Sequence, residues 1–413
     1  SSGNFNLVYN SIMEDDIPDW LDKSFLEKAL GGGEESCVKV ASYIVKSALT
    51  PGENFASYLF RVQVHYTEGD SSEVHFKSLI VKQPVKVGLI YEIASNTQFY
   101  DKEAVFYGGL LQKMSAKMNC QFGPTSFYSP IDQVIVLEDL KPEYVVLDKN
   151  KQLDLVYSKL VFKFLAKYHA SVVAVYNDDP KLIESVSGEC EFLKDGPIKR
   201  WAEFGTKFIG ESLQEMGFKE LADFILDKTD GIWESAVECI KPRPGRLNVL
   251  VHGDIWTSNL MFKYNNANEV VDMKLLDFQL ARYTTPVMDL FYYLYTSAND
   301  DVRDHNQLEL FEIYVKTLNE SLQQAGCKER FTMEELKDHI KHVVPWFFAV
   351  FVYGMCPIYV HGSEDGLDLE GITGNDISTG KCNPIFAKMF SCKKIKELLP
   401  VLMRQYVSML KSL

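Results

Sequence analysis

The sequence predicts an α+β protein in which residues 1–140 are β-rich and residues 141–413 mostly helical. Three observations carry that prediction. Runs of alternating or β-branched residues concentrate before Pro142. Long stretches of 3.6-residue apolar periodicity follow it, and such segregation is typical of α+β folds. The composition, 46% apolar and 24% charged over 413 residues, is that of a globular chain able to bury a substantial core. It excludes collagen-like, mucin-like and largely disordered chains.

The elements follow in order. Residues 17–30 (IPDWLDKSFLEKAL) predict a helix: Pro18 suits its first turn, Leu21, Phe25 and Leu26 form an apolar face, and Gly31 ends it. Residues 38–47 are rich in β-branched side chains, 58–66 alternate, and 74–82 alternate loosely up to Pro84. The Glu68-Gly69-Asp70 turn makes the last two an antiparallel hairpin. Residues 98–114 predict a helix and 134–137 a short apolar strand. Beyond Pro142, residues 155–169, 198–226, 308–324, 333–351 and 395–413 are long helical patterns. Among them, 248–251 and 273–276 are two short apolar strands flanking a polar loop, read as a β-hairpin module.

The net charge of −14 argues against a wide contact with a phosphate backbone, so no nucleic-acid partner is expected. A local nest of backbone amides with one lysine can still hold a small anion. The 8 cysteines form no CxxC and no zinc spacing, which predicts free thiols in a reducing compartment. No basic-then-apolar leader opens the sequence, so a cytoplasmic location is expected. The most apolar run, 343–359, is interrupted by Pro345, Gly354 and Pro357 and reads as a broken core helix, so no membrane span is expected. Nothing in the sequence specifies an oligomeric state.

The chemistry concentrates in VLVHGDIWTSNLMF (249–262) and MKLLDFQ (273–279). His252, Asp254 and Asn259 stand in an H-x-D-x-x-x-x-N spacing, and Asp277 follows a strand of its own. Two carboxylates and an amide at the mouths of short strands suit a hard divalent cation, Mg²⁺, with a general base beside it. An isolated HxD is a common turn; the order of further pieces gives this one its specificity. Lys82 ends the strand SLIVK, and Glu103 lies on the next helix in DKEAVFY. A lysine held by a helix glutamate can point at the α- and β-phosphates of a nucleotide. The loop TPGENFAS (50–57) joins two strands, and its amides could cover phosphates. VLEDL (136–140), between the two parts, could hydrogen-bond adenine through its backbone. His169, on an apolar helix face with Leu165 and Ala166, reads as a hydrogen-bonded core residue, and His339 with His342 as a solvated face. The acids 300, 301, 304 and 364–371 read as exposed loops.

The order of loop, strand lysine, helix glutamate, linker, HGDxxxxN and DFQ resembles the protein-kinase-like fold, nearest to the aminoglycoside and choline phosphotransferases. In wording it is similar to the insect ecdysteroid-kinase-like family, through GENFAS, KEAVFY, VLEDL, LAKYHA (165–170), HGDIWTSNLMF, LLDFQ and PVMDLFYYL (286–294). The resemblance implies a bilobal enzyme using ATP and Mg²⁺. Asp254 would be catalytic, accepting or orienting the proton of the attacking hydroxyl. Asn259 and Asp277 would hold Mg²⁺, Lys82 would grip the α- and β-phosphates, and Glu103 would keep Lys82 in place. Gly52, Asn54, Phe55, Ala56 and Ser57 would cover the triphosphate, and the backbone from Glu138 to Leu140 would take the adenine. His252 would brace the catalytic loop and Asp289 tie it down. DFQ in place of DFG, Trp256 in place of a second histidine, and a phosphate loop with one glycine depart from the wider superfamily but are usual in that family. Only 278–288 separate Asp277 from Asp289, with no activation loop, which makes protein substrates unexpected.

These readings together predict transfer of the γ-phosphoryl of ATP to a small-molecule alcohol. By resemblance the acceptor is an ecdysteroid, at its 22-hydroxyl, or a lipophilic xenobiotic, for storage, inactivation or detoxification. The aromatic run 346–362 suits such an acceptor. Two alternatives stay open: a choline- or aminoglycoside-type kinase acting on a polar alcohol, and a non-catalytic steroid carrier on the same fold.

Overall fold

The computed structural model describes residues 17–35, 37–48, 57–361, 363, 366–367 and 371–413. The chain forms two compact units, one of residues 1–86 with 124–141 and one of 87–123 with 142–413. The sequence places one division near Pro142; the structure also groups residues 87–123 with the helical part.

The first unit is an antiparallel sheet with one helix on its face. Helix α1 (Lys23–Gly31) starts six residues later than the periodicity suggests, because the Asp22 carboxylate accepts the Phe25 N–H at 2.8 Å and caps it there. Gly32, at φ 78°, ends it. Strands β1 (Val38–Ser47), β2 (Ser57–Glu68), β3 (His75–Pro84), β4 (Ser126–Phe127) and β5 (Ile135–Glu138) run in the order β1-β2-β3-β5-β4. The alternation in β2 buries Phe60, Val62 and Val64, which meet Leu79 and Val81 of β3, Val136 of β5 and Phe25 and Leu26 of α1. Burying one such face fixes the register, since a one-residue slip would expose all of it. A bulge after Val40 frees that residue's N–H, and Glu27 of α1 accepts it at 2.9 Å.

The second unit is mainly helical. It holds α2 (Gly88–Ser95), α3 (Phe99–Val105) and α4 (Leu111–Met118), the last two joined through a π-helical turn kinked at Gly109, where φ is 148°. The long helix α5 (Leu155–Asp178) is followed by α6 (Pro180–Glu184), α7 (Lys199–Glu215), α8 (Lys219–Leu226) and α9 (Ile232–Cys239). The single helix expected over 198–226 is two, because Gly217 at φ 88° ends α7. After α10 (Val287–Thr296), buried along its whole length, come α11 (Gln307–Gln324), α12 (Met333–His342) and α13 (Val344–Val350). A bend of 56° separates α12 from the run that follows, where Pro345 cannot continue the earlier helix. The unit closes with α14 (Cys356–Val360), α15 (Gly374–Ser378), α16 (Asn383–Phe390) and α17 (Lys393–Ser412). Among the described residues no single helix is long and apolar enough to cross a membrane; the apolar run from Val343 lies in the core.

Its strands correct one expectation. Segment 248–251 does not pair with 273–276. Strand β7 (Val249–Val251) pairs with β10 (Arg282–Thr284), while β8 (Leu260–Tyr264) pairs with β9 (Val270–Leu275), and β6 (Val145–Val146) adds to β8. The sequence hides β8 because its apolar residues Leu260–Phe262 follow the polar motif without a turn signal. The arrangement places the ends of β7, β8 and β9 beside one another.

Candidate active site

In the first unit, Lys82 is buried in β3, facing Leu59 of β2 and Ile135 of β5 across the ladder. Glu138 ends β5, where its N–H donates to Thr125 O at 2.9 Å and its carboxylate accepts the Thr125 N–H at 2.9 Å. The Asp139 N–H donates to Ser78 O at 3.2 Å. Asp139, which the sequence reading passed over, is tied to Arg61 at 2.6 Å and to Ser78 Oγ at 2.8 Å, so it stiffens the end of β5. Ser57 opens β2 with a buried hydroxyl that has no partner among the described residues. Gly52, Asn54, Phe55 and Ala56 lie outside the described residues, as do Glu364 and Glu370.

In the second unit, Asp254, Asn259 and Asp277 come together with Glu103 close by. The anchor is Asp289 on α10. Its carboxylate accepts the His252 N–H at 2.8 Å, the Gly253 N–H at 2.9 Å and His169 Nε2 at 3.0 Å. Burial pushes this carboxyl up, but the hydrogen bonds and the two histidines outweigh it and hold it below the usual carboxylate range. His169 Nδ1 meets the Tyr314 hydroxyl at 2.8 Å, so the expected core role of His169 holds and serves the loop directly. His252 Nε2 donates to Leu276 O at 2.9 Å, and its Nδ1 then accepts the Asp254 N–H at 3.3 Å. Gly253, at φ 88°, has to be a glycine: a Cβ there would run into the Leu280 carbonyl.

Asp254 is oriented by its neighbours. Asn259 Nδ2 donates to the Asp254 carboxylate at 2.8 Å and to its carbonyl at 3.0 Å, and the Trp256 indole N–H reaches the same carboxylate at 3.3 Å. The Tyr292 phenol also donates to it. Sequence reasoning missed Tyr292; the signal was its place three residues after Asp289, on the same helix face. Since Asn259 spends its NH₂ on Asp254, its Oδ1 is left as an oxygen donor. The Asn259 carbonyl accepts the Leu276 N–H at 3.0 Å, which joins the catalytic loop to the strand end that carries Asp277. Asp277 itself adopts φ 68°, a left-handed conformation uncommon away from glycine. Its main-chain N–H faces the phenol oxygen of Tyr107, which also lies in the field of Glu103.

Burial, and then the negative charge of Asp277, push the Asp254 carboxyl up to about 7. Two carboxylates that disfavour each other's charge, with an amide oxygen beside them, are a donor set that a hard divalent cation would relieve. Among the described residues no group of three or more His, Cys, Asp or Glu forms a full metal cage.

The histidines of α12 correct another expectation. His339 is fully buried, and its Nδ1 meets Thr285 Oγ1 at 2.6 Å. Of the predicted solvated face, His339 therefore packs on the turn before α10, while His342 stays half-exposed. The cysteines that the structure describes are all free, as predicted.

A family match supports a phosphotransferase that acts on a hydroxyl acceptor, a small-molecule kinase. The family model of the ecdysteroid kinase-like family matches residues 51–327, and the chain belongs to that family. No curated protein matches the sequence. Among solved structures, the chain is similar to the apoenzyme of macrolide 2'-phosphotransferase MphH from Brachybacterium faecium, at 13% identity and TM-score 0.38, covering 85% of this chain and 93% of that one. It is also similar to a choline/ethanolamine kinase family protein from Mesorhizobium loti, at 11% identity and TM-score 0.32, covering 87% and 92%. A third is the ADP-bound aminoglycoside phosphotransferase APH(2'')-Ib, at 14% identity and TM-score 0.35, covering 85% and 95%.

Proposed function

We propose that the protein transfers the γ-phosphoryl group of ATP to a hydroxyl of a lipophilic alcohol, an ecdysteroid at its 22-hydroxyl or a xenobiotic of similar character. The observation that carries this reading is the meeting of Asp254, Asn259 and Asp277 at the ends of β7, β8 and β9. Asp277 and Asn259 Oδ1 would hold Mg²⁺, which when bound offsets the charge of the triphosphate and of the departing diphosphate. Asp254, held by Asn259, Trp256 and Tyr292, aligns the acceptor oxygen and takes its proton as that oxygen bonds to the γ-phosphorus and the bond to ADP breaks. By the family resemblance, Lys82 would serve the α- and β-phosphates, Ser57 the triphosphate and the backbone of Glu138 to Leu140 the adenine.

Charge supports this choice of acceptor class. The described acid nearest in influence to Asp254, other than Asp277, is Glu191, and it is already paired with Arg282. A polycation would find that carboxylate already neutralised, which favours an uncharged alcohol. The product would be a phosphate ester that stores, inactivates or detoxifies the alcohol.

The test is mass spectrometry of a reaction with ATP, Mg²⁺ and a mixed library of steroid, choline and aminoglycoside alcohols. An added phosphate on a steroid-like alcohol, absent with Asp254→Asn, is the expected result. Phosphorylation of charged acceptors only would move the acceptor class to the polar alternative. Tight steroid binding with no transfer to any alcohol would establish the carrier.

A further inference from the structure

Lys102, next to Glu103 on α3, is a buried cation that the proposed chemistry does not use. It is 1% exposed, yet its ammonium donates to two main-chain carbonyls, Gly188 O and, at 2.6 Å, Ala281 O. These carbonyls belong to separate segments. Gly188 opens the stretch 188–192, and Ala281 lies between the D-F-Q motif and β10. The same two segments are joined to each other by Arg282, whose guanidinium pairs with Glu189 at 3.4 Å and with Glu191. Two buried cations and two half-buried carboxylates thus tie α3, residues 188–192 and the start of β10 into one piece.

The turn after α3 is bound to the same strand end. Phe106 stacks on Phe278 with ring centroids 4.8 Å apart, and Tyr107 meets Phe278 edge-on at 5.7 Å. The Tyr107 phenol oxygen accepts from the Asp277 main chain and lies in the field of Glu103. Burying an ammonium is expensive, and an apolar side chain of similar volume would stabilise the fold at least as well. What the lysine adds is direction: its two carbonyl partners allow one placement of the helix.

We propose that Lys102 is a positioning residue that locks the helix bearing Glu103 onto the strand end bearing Asp277, so that this helix stands in its working place before nucleotide arrives. The proposal rests on the ATP reading above.

Calorimetric MgATP affinity of wild type, Lys102→Met, Glu103→Gln and the double variant tests it. If Lys102 acts through Glu103, each single variant weakens MgATP by roughly tenfold or more. The double variant then weakens it no further than Glu103→Gln, because coupled residues are non-additive. A general loosening of the fold would instead multiply the two effects. Hydrogen exchange on the wild type is independent of how the variants fold: the amides of residues 99–105 should be as protected without MgATP as with it. Multiplying effects, a Lys102→Met affinity equal to wild type, or protection of 99–105 that rises steeply on adding MgATP would each overturn the lock while leaving the ATP reading standing. A wild type that binds no MgATP would overturn both.

Discussion

Replacing Asp289 by asparagine should loosen the catalytic loop while leaving the shape of the site almost unchanged. The wild-type carboxylate accepts three hydrogen bonds, from the His252 N–H at 2.8 Å, the Gly253 N–H at 2.9 Å and His169 Nε2 at 3.0 Å. His252 and His169 share one oxygen and Gly253 takes the other, so an amide oxygen can keep the first pair at best. The Gly253 N–H then faces an NH₂ group. One charge-assisted bond is lost, about 2 kcal/mol, and the two that remain fall to neutral strength, about 1 kcal/mol more, for a total of about 3 kcal/mol. Gly253 immediately precedes Asp254, so the base should also drift, and a shift of about 1 Å costs on the order of a hundredfold in rate. Urea unfolding followed by tryptophan fluorescence, with turnover measured below the transition, reads both effects. The pH dependence has a definite sign. The Asp289 pKa is depressed in the folded state, so its contribution is present above the ordinary carboxyl value of 3.8 and is lost only as pH falls below it. A variant within about 0.5 kcal/mol of wild type and with full turnover would refute the anchoring role, since that is the scatter of neutral surface changes.

Three further outcomes are expected. His339 is pulled from 6.5 down to about 4 by burial first and then by Arg243, with Arg246 and His342 adding and Asp338 opposing, so the unfolded chain binds more protons in that window. Its contribution is therefore complete above pH 6.5 and lost towards pH 4, by roughly 3 kcal/mol at most, and unfolding curves of His339→Gln should lack that slope. Gly253→Ala forces a Cβ against the Leu280 carbonyl at φ 88°, and should lower stability by about 2 kcal/mol or more while abolishing turnover, read by thermal unfolding and ATP consumption. Asp254→Asn keeps the Asn259 and Trp256 side chains in place but removes the proton acceptor, so turnover should fall by roughly a hundredfold or more with MgATP affinity retained.

Much of the architecture was legible in the sequence because local pattern and global fold agree there. The alternation of Phe60, Val62 and Val64 specifies a strand with one buried face, and the H-x-D-x-x-x-x-N spacing with a following D-F-Q specifies a loop that meets a strand end. What stayed hidden depends on long-range contact. Leu260–Phe262 read as the tail of a motif, and only pairing with β9 makes them a strand. His339 on a charged helix looked solvated, and its burial comes from the Thr285 turn packing against it. Lys102 and Arg282 are buried cations whose partners lie some ninety residues away in sequence, at Gly188 and Glu191. Tyr292 looked like one aromatic among many, and only the fold shows its hydroxyl turned to Asp254.

The central claim is that Asp277, Asn259 and Asp254 receive one metal-bound nucleotide. Titration calorimetry of ATP, with Mg²⁺ and then with the cation chelated, measures it most directly in wild type and Asp277→Asn. The account predicts binding that needs the cation and is lost in the variant; equal affinity in all four experiments would contradict it.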